Sequence, residues 1–184
     1  MNGGVAGMGF WGYLVVGRSE QPLAELPALA ALRDRLTFHE QRPGGWQVWR
    51  HPGEPDIGDM GALARAVGSP VLSGFVMGGE CVAVEGAAPR GGSWYACLGR
   101  EPMARHLAVS GMVLEELFLP VEDAARRAVE WAVEAGGTVD PKPLLDVLHA
   151  PRPESGAEEL FSRLLDGLGI PGFPAAAERP SGTE

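Results

Sequence analysis

The sequence predicts an α+β protein: a mainly antiparallel sheet of five or six strands with packed helices, followed by a C-terminal helical annex. Three observations carry this. Residues 10–100 break into short β-branched and aromatic runs punctuated by Gly and Pro, and one stretch, 71–85, has the form of a hairpin. Residues 101–170 instead repeat apolar side chains at helical spacing. Charge divides at the same place: residues 1–100 hold 8 basic and 9 acidic groups, residues 101–184 hold 7 and 15, and −1 with −8 makes the −9 of the chain. A length of 184 residues suits one well-buried core. The expected organisation is a flexible N-terminus over 1–9, a sheet region over 10–100, a helical region packed on it over 101–170, and a disordered tail over 171–184.

Within the first region, the run from Phe10 to Val16 is apolar throughout and reads as a strand buried on both faces. Leu23, Leu26, Leu29, Ala30 and Leu32 then predict a helix reaching about Arg35, its start delayed by Pro27. Leu36–Gln41 and Trp46–His51 flank Gly44–Gly45 and predict a hairpin. After the Pro- and Gly-rich loop 51–58, Asp59 is placed to accept amide hydrogen bonds as the N-cap of a helix that Gly68 ends. Val71–Met77 and Glu80–Glu85 flank Gly78–Gly79, which tolerate the positive φ of a two-residue turn. That turn opposes Phe75 to Val82 and Ser73 to Val84 on one face, and Val76 to Cys81 and Gly74 to Ala83 on the other. Ser93–Leu98 extends the hairpin to a meander, with Gly74, Ala83 and Ala96 as a low patch for a closely packed helix.

Helices are expected over Met103–Leu107, Val113–Phe118, Val121–Ala135, Pro143–His149 and Ala157–Leu168. Ser155 and Glu158 fit a capping box for the last of these, and Gly169 supplies its stop. No repeat of fixed period is present, which argues against a helical solenoid.

Composition excludes more than it assigns. A charge of −9 with no Lys/Arg cluster is opposed to nucleic-acid binding, leaving a basic protein as the partner that charge allows. No apolar run reaches the ~20 residues of a membrane span, and Met1–Gly9 lacks a basic start and an apolar stretch, so a cytoplasmic location is expected, with Cys81 and Cys97 reduced. One lysine against 14 arginines points to a GC-rich, bacterial genome.

Motifs for chemistry are missing. Gly7, Gly9 and Gly12 satisfy G-x-G-x-x-G, but they precede a strand instead of opening a helix, so no phosphate cradle follows. His39, His51, His106 and His149 lack zinc-ligand spacing and the cysteines lack a C-x-x-C pair; no metal or cofactor is expected. Mid-strand cysteines are small buried hydrophobes, and no serine sits in a G-x-S-x-G elbow. An empty catalytic inventory favours a non-enzymatic protein-binding role over an enzyme.

Two surfaces are candidates. In the helix from Val121, Glu122, Glu130 and Glu134 share a line of i, i+4 spacing and predict an acidic partner-binding face, of the kind an immunity protein or antitoxin presents to a basic toxin. The alternative is a small enzyme or ligand-sensing site near the 46–59 loop, built from Trp49, Arg50, His51 and Asp56, with Trp46 beside Trp49 as an aromatic wall.

Overall fold

The computed structural model describes residues 9–172; of the expected flexible start over 1–9 and disordered tail over 171–184, residues 1–8 and 173–184 lie outside the described residues. The fold is α+β. Six strands form one antiparallel sheet: β1 (Gly12–Arg18), β2 (Thr37–Arg42), β3 (Trp46–His51), β4 (Val71–Met77), β5 (Cys81–Ala88) and β6 (Gly92–Leu98). Their order is β2-β3-β1-β4-β5-β6, so the first strand in the chain lies between the β2–β3 hairpin and the β4–β5–β6 meander.

Alternation along the strands sorts the side chains onto two faces. The first face presents Leu14, Val16, Trp46, Val48, Leu72, Val76, Val82, Val84, Ala96 and Leu98. Against it pack α4 (Val121–Glu134), α5 (Pro141–His149) and α6 (Ala157–Gly167), each contributing an apolar stripe that includes Trp131, Leu144, Leu148, Phe161 and Leu164. Trp131 anchors α4: its indole N–H donates to the carbonyls of Val71 and Ala87 at 3.0 and 3.1 Å, at the paired ends of β4 and β5. Arg42 anchors the far end of α6. Almost fully buried at the end of β2, it donates to Ser162 Oγ, Asp166 Oδ1 and the Ile170 carbonyl at 2.8, 3.0 and 2.7 Å, with Glu40 at 2.8 Å from its Nε.

The second face is covered in two places. Val15, Val71 and Ala87 lie under Leu23, Leu29, Leu32 and the helix α1 (Met60–Val67), while Cys81 and Cys97 lie under α2 (Arg100–Ala108), whose Met103 and Leu107 fill that cluster. The short α3 (Leu114–Leu117) follows α2 and buries none of its own residues.

Three expectations need correction. The segment after Pro22 is not α-helical but two 3-10 turns, Leu23–Glu25 and Pro27–Arg35. The reason is in its period: leucines at 23, 26, 29 and 32 recur every three residues, which keeps one face buried at 3.0 residues per turn and not at 3.6. The β4–β5 turn is also longer by one residue. Gly78 and Gly79 do adopt positive φ, 60° and 72°, and the Glu80 N–H closes the turn on Met77 O at 3.1 Å. Cys81, however, pairs with Met77, so Glu80 is an extra residue and the register becomes Val76–Val82, Phe75–Ala83, Gly74–Val84 and Ser73–Glu85. A one-residue slip exchanges the faces of one strand relative to the other. Third, the capping box at Ser155 does not form: Gly156, at φ +106°, is the N-cap of α6 without a side-chain bond, and Glu158 is drawn to Arg50 instead.

Candidate functional site

Residues of the proposed 46–59 site divide between the two sheet faces, because consecutive strand residues point opposite ways. Arg50 faces the helical layer. It pairs with Glu158, donates to His39 Nδ1 at 3.2 Å and lies 4.8 Å over the Phe10 ring. Trp49 and His51 face the other side. Trp49 donates to Gln47 Oε1 at 2.9 Å and meets Phe38 edge-on at 5.4 Å, whereas Trp46, on the helical face, packs against Trp131 with centroids 5.6 Å apart. The two indoles therefore form no common wall. His39 and His51 do not converge either: His39 is at the irregularity in β2 and serves Arg50, while His51 stands beside Tyr13 with centroids 6.0 Å apart. Among the described residues no group of three His, Cys, Asp or Glu could hold a metal ion.

His51 is fully buried and its Nδ1 accepts the Gly53 N–H at 3.1 Å. Burial, and then the charge of Arg35, lower its pKa against the opposing pull of Asp56. With Nδ1 accepting, the ring hydrogen of the neutral form is on Nε2, which meets no hydrogen-bond partner among the described residues. Asp56 accepts the Gly58 N–H at 2.7 Å through one oxygen and the Tyr13 hydroxyl at 3.3 Å through the other.

Tyr13 leads to residues that the sequence did not single out. On the second face it is registered with His51 of β3 and Phe75 of β4, and Phe75 in turn with Ala83 of β5. Tyr13 and Phe75 rings are 4.7 Å apart; Trp11 meets Phe75 edge-on at 6.5 Å and His106 at 6.0 Å. The next row runs Ser73, Glu85, Tyr95. Between the α1 side and the α2–α3 side, these two rows form a strip of sheet face that neither helix group covers fully. Tyr13, Phe75, Ala83 and Glu85 are half-buried along it, and Tyr95 and Trp11 are exposed.

Acids outnumber the cations beside the strip, which are Arg35 near His51 and Arg65, whose Nη1 lies with Asp59 Oδ1 around Gly61. Burial raises the pKa of Glu85, and Asp59 and Asp56 add to the rise; hydrogen bonds from the Met60 backbone and the Tyr95 hydroxyl oppose it. Tyr95 lies 3.5 Å from Glu85 Oε1, and its own hydroxyl is pushed up first by the Glu85 charge. Asp59, as expected, caps α1 by accepting the Gly61 N–H at 2.8 Å. Among the described residues, Asp56, Asp59 and Glu85 take part in no ion pair. Arg35, the charge beside His51, donates to the Glu54 carbonyl at 2.9 Å.

The helical half differs. Glu130 pairs with Arg127 and Asp123 with Arg126, while Glu101 pairs with Arg152 and Asp146 with Lys142. Glu122 is exposed and reaches His149 at 3.6 Å. Glu134 is not on the solvent face that its spacing predicts: its side chain, 13% exposed, accepts the Arg90 and Gly91 N–H groups at 2.7 and 2.9 Å and ties α4 to the β5–β6 turn. Exposed apolar side chains are Val133 on α4 itself and Val109, Val113 and Leu117 around α3, and the Leu119 N–H, just beyond α3, bonds the Tyr95 carbonyl at 3.0 Å.

Among the described residues no helix is long and apolar enough to cross a membrane. Comparison of the chain with protein-family models, with curated proteins and with solved structures gives no match to any of them.

Proposed function

We propose that this chain is a non-enzymatic protein-binding protein whose partner docks on the second sheet face, along the strip from Trp11 and Tyr13 to Tyr95 and the adjoining α3 edge. The observation that carries this reading is the exposure of aromatic and apolar side chains along this side of the sheet and at α3: Trp11, Tyr95, Val113 and Leu117 are 51, 47, 55 and 44% exposed, and the Leu119 N–H, just past α3, bonds the Tyr95 carbonyl. Large side chains left open beside one another on a sheet face mark interaction sites more often than isolated ones do. Aromatic anchors flanked by polar groups are the usual composition of an interface centre. The acidic line of α4 supports docking less well, since Glu130 and Glu134 are engaged within the molecule.

The test is site-specific cross-linking in native lysate. A photoreactive phenylalanine analogue in place of Tyr95, or in place of Glu130, reports which surface a partner covers. A defined protein adduct from the Tyr95 position, lost when Val113→Lys and Leu117→Lys are added, is expected. An adduct formed only from the Glu130 position would move the docking site to the helical layer and overturn the assignment.

A further inference from the structure

We infer that the segment received by this face is basic, with a lysine or arginine side chain seated against the Tyr95 ring beside the Glu85 carboxylate, on the side of Asp59 and Asp56, and apolar neighbours of that side chain resting toward α3. The inference rests on the docking reading above and adds the chemistry of the partner.

Charge complementarity is the argument. Across the helical half, Glu101, Asp123, Glu130, Glu158 and Asp166 pair with arginines of the same molecule, while Glu115, Glu116, Glu154 and Glu159 are in no ion pair among the described residues but stand exposed, where water and salt screen them. On the strip, the Tyr13 hydroxyl donates to Asp56 at 3.3 Å and the Tyr95 hydroxyl to Glu85 at 3.5 Å, and Asp56, Asp59 and Glu85 are in no ion pair among the described residues. Glu85 is the strongest case. It is in the middle of a strand, half-buried, where a carboxylate loses hydration and where an apolar or β-branched residue would pack better. A cation brought by a partner would restore the lost solvation and lower the mutual repulsion of the three acids. The exposed ring of Tyr95, beside Glu85, adds the attraction of an aromatic quadrupole for the same cation, strongest for the planar guanidinium of arginine. The acids at one margin and Val113 and Leu117 at the other ask for a segment that is itself two-sided, charged toward α1 and apolar toward α3.

The decisive experiment uses the full chain and two synthetic peptides, one alternating arginine with leucine and one with glutamate in place of arginine, titrated by calorimetry and followed by amide chemical shifts. Asp56→Asn, Asp59→Asn and Glu85→Gln are combined in one variant; asparagine keeps the α1 cap. Glu122→Gln, Glu154→Gln and Glu159→Gln, combined in a second variant, remove the same formal charge from exposed positions elsewhere. The expected result is binding of the arginine peptide only, with shifts at Tyr13, Ala83, Glu85 and Tyr95. Affinity should drop about tenfold in the first variant and change little in the second, the loss expected for three modest, partly solvated charge contacts. Equal losses in both variants would show attraction to net charge alone, and no loss in either, or no binding, would remove the basic segment as occupant. If the Tyr95 cross-link to a native partner persists at full yield in the first variant, the partner is not held by its cations and this inference falls while the docking face stands. Loss of the cross-link only on changing Val113 and Leu117 gives that outcome directly.

Discussion

The ring of Phe161 in α6 rests on Gly74 in β4: a Cβ added at Gly74 would lie 2.6 Å from Phe161 Cε2 and 2.9 Å from Val82 Cγ1. A sheet strand gives up a side chain here so that a helix can approach, and Phe161 is 1% exposed as a result. Neither neighbour has room to withdraw, because both are in the close-packed main core.

Gly74→Ala is therefore expected to cost about 1–3 kcal/mol through overpacking, read as a fall in the urea midpoint without a change in slope. Adding Phe161→Leu should recover part of that loss, giving a non-zero coupling in the double-mutant cycle. Independent, additive losses would show that the contact is not tight.

How much of this was legible depends on what each residue has to satisfy. Six antiparallel strands and the helices after Gly99 followed from periodicity, and Asp59 and Gly68 bound α1 as their chemistry requires. The β4–β5 register was not legible, because Gly78–Gly79 are equally content in a turn followed by an extra residue; the choice is made by tertiary packing, which sets Val82 and Val84 against α6. That single residue decides the candidate site. With the expected pairing, Phe75 and Ser73 would share their face with Val82 and Val84; with the observed one they share it with Ala83 and Glu85, and Ser73–Glu85–Tyr95 makes the row beside Tyr13–Phe75. His51 and Asp56 were named from the sequence. Tyr13 and Glu85 were not, since only the strand order brings β1 and β5 to either side of β4.

Glu130 and Glu134 are one helical turn apart on α4 and should respond very differently. Glu134→Ala leaves the Arg90 and Gly91 N–H groups without their acceptor and is expected to cost about 1–2 kcal/mol. Glu130→Ala removes only an exposed i, i+3 pair with Arg127 and should stay within about 0.5 kcal/mol of wild type. Equal melting temperatures for the two variants would contradict the turn-clamping role of Glu134.

His51 gives the fold a signature in acid. Its folded pKa lies below the unfolded value of about 6.5, so as pH falls through that value the unfolded chain takes up a proton that the folded chain refuses. The stability it contributes is whole above the unfolded pKa and is lost as pH falls toward the folded one. His51→Gln should flatten the decline in urea midpoint between neutral pH and mildly acidic pH. His39, also lowered by burial first, has the same sign, so His39→Gln serves as the companion measurement. Parallel curves for wild type and His51→Gln would show that the ring titrates freely.

Glu85 has the opposite sign and links stability to the docking face. Its folded pKa is raised, so ionisation above the ordinary carboxylate range disfavours the folded state, and this cost is present in full once pH exceeds the raised value. Glu85→Gln keeps the shape and the Tyr95 contact while removing the charge; near neutral pH it should raise the urea midpoint, with the gain shrinking as pH falls through the folded pKa toward the unfolded one. A residue kept in a strand at a cost to stability is what a recruiting carboxylate looks like, because selection for binding tolerates strain that selection for folding would remove. The two readouts should therefore move apart in the same variant: higher stability, weaker uptake of the arginine peptide. If Glu85→Gln lowers stability at neutral pH, the carboxylate is well solvated or internally paired, and its place on the strip is structural.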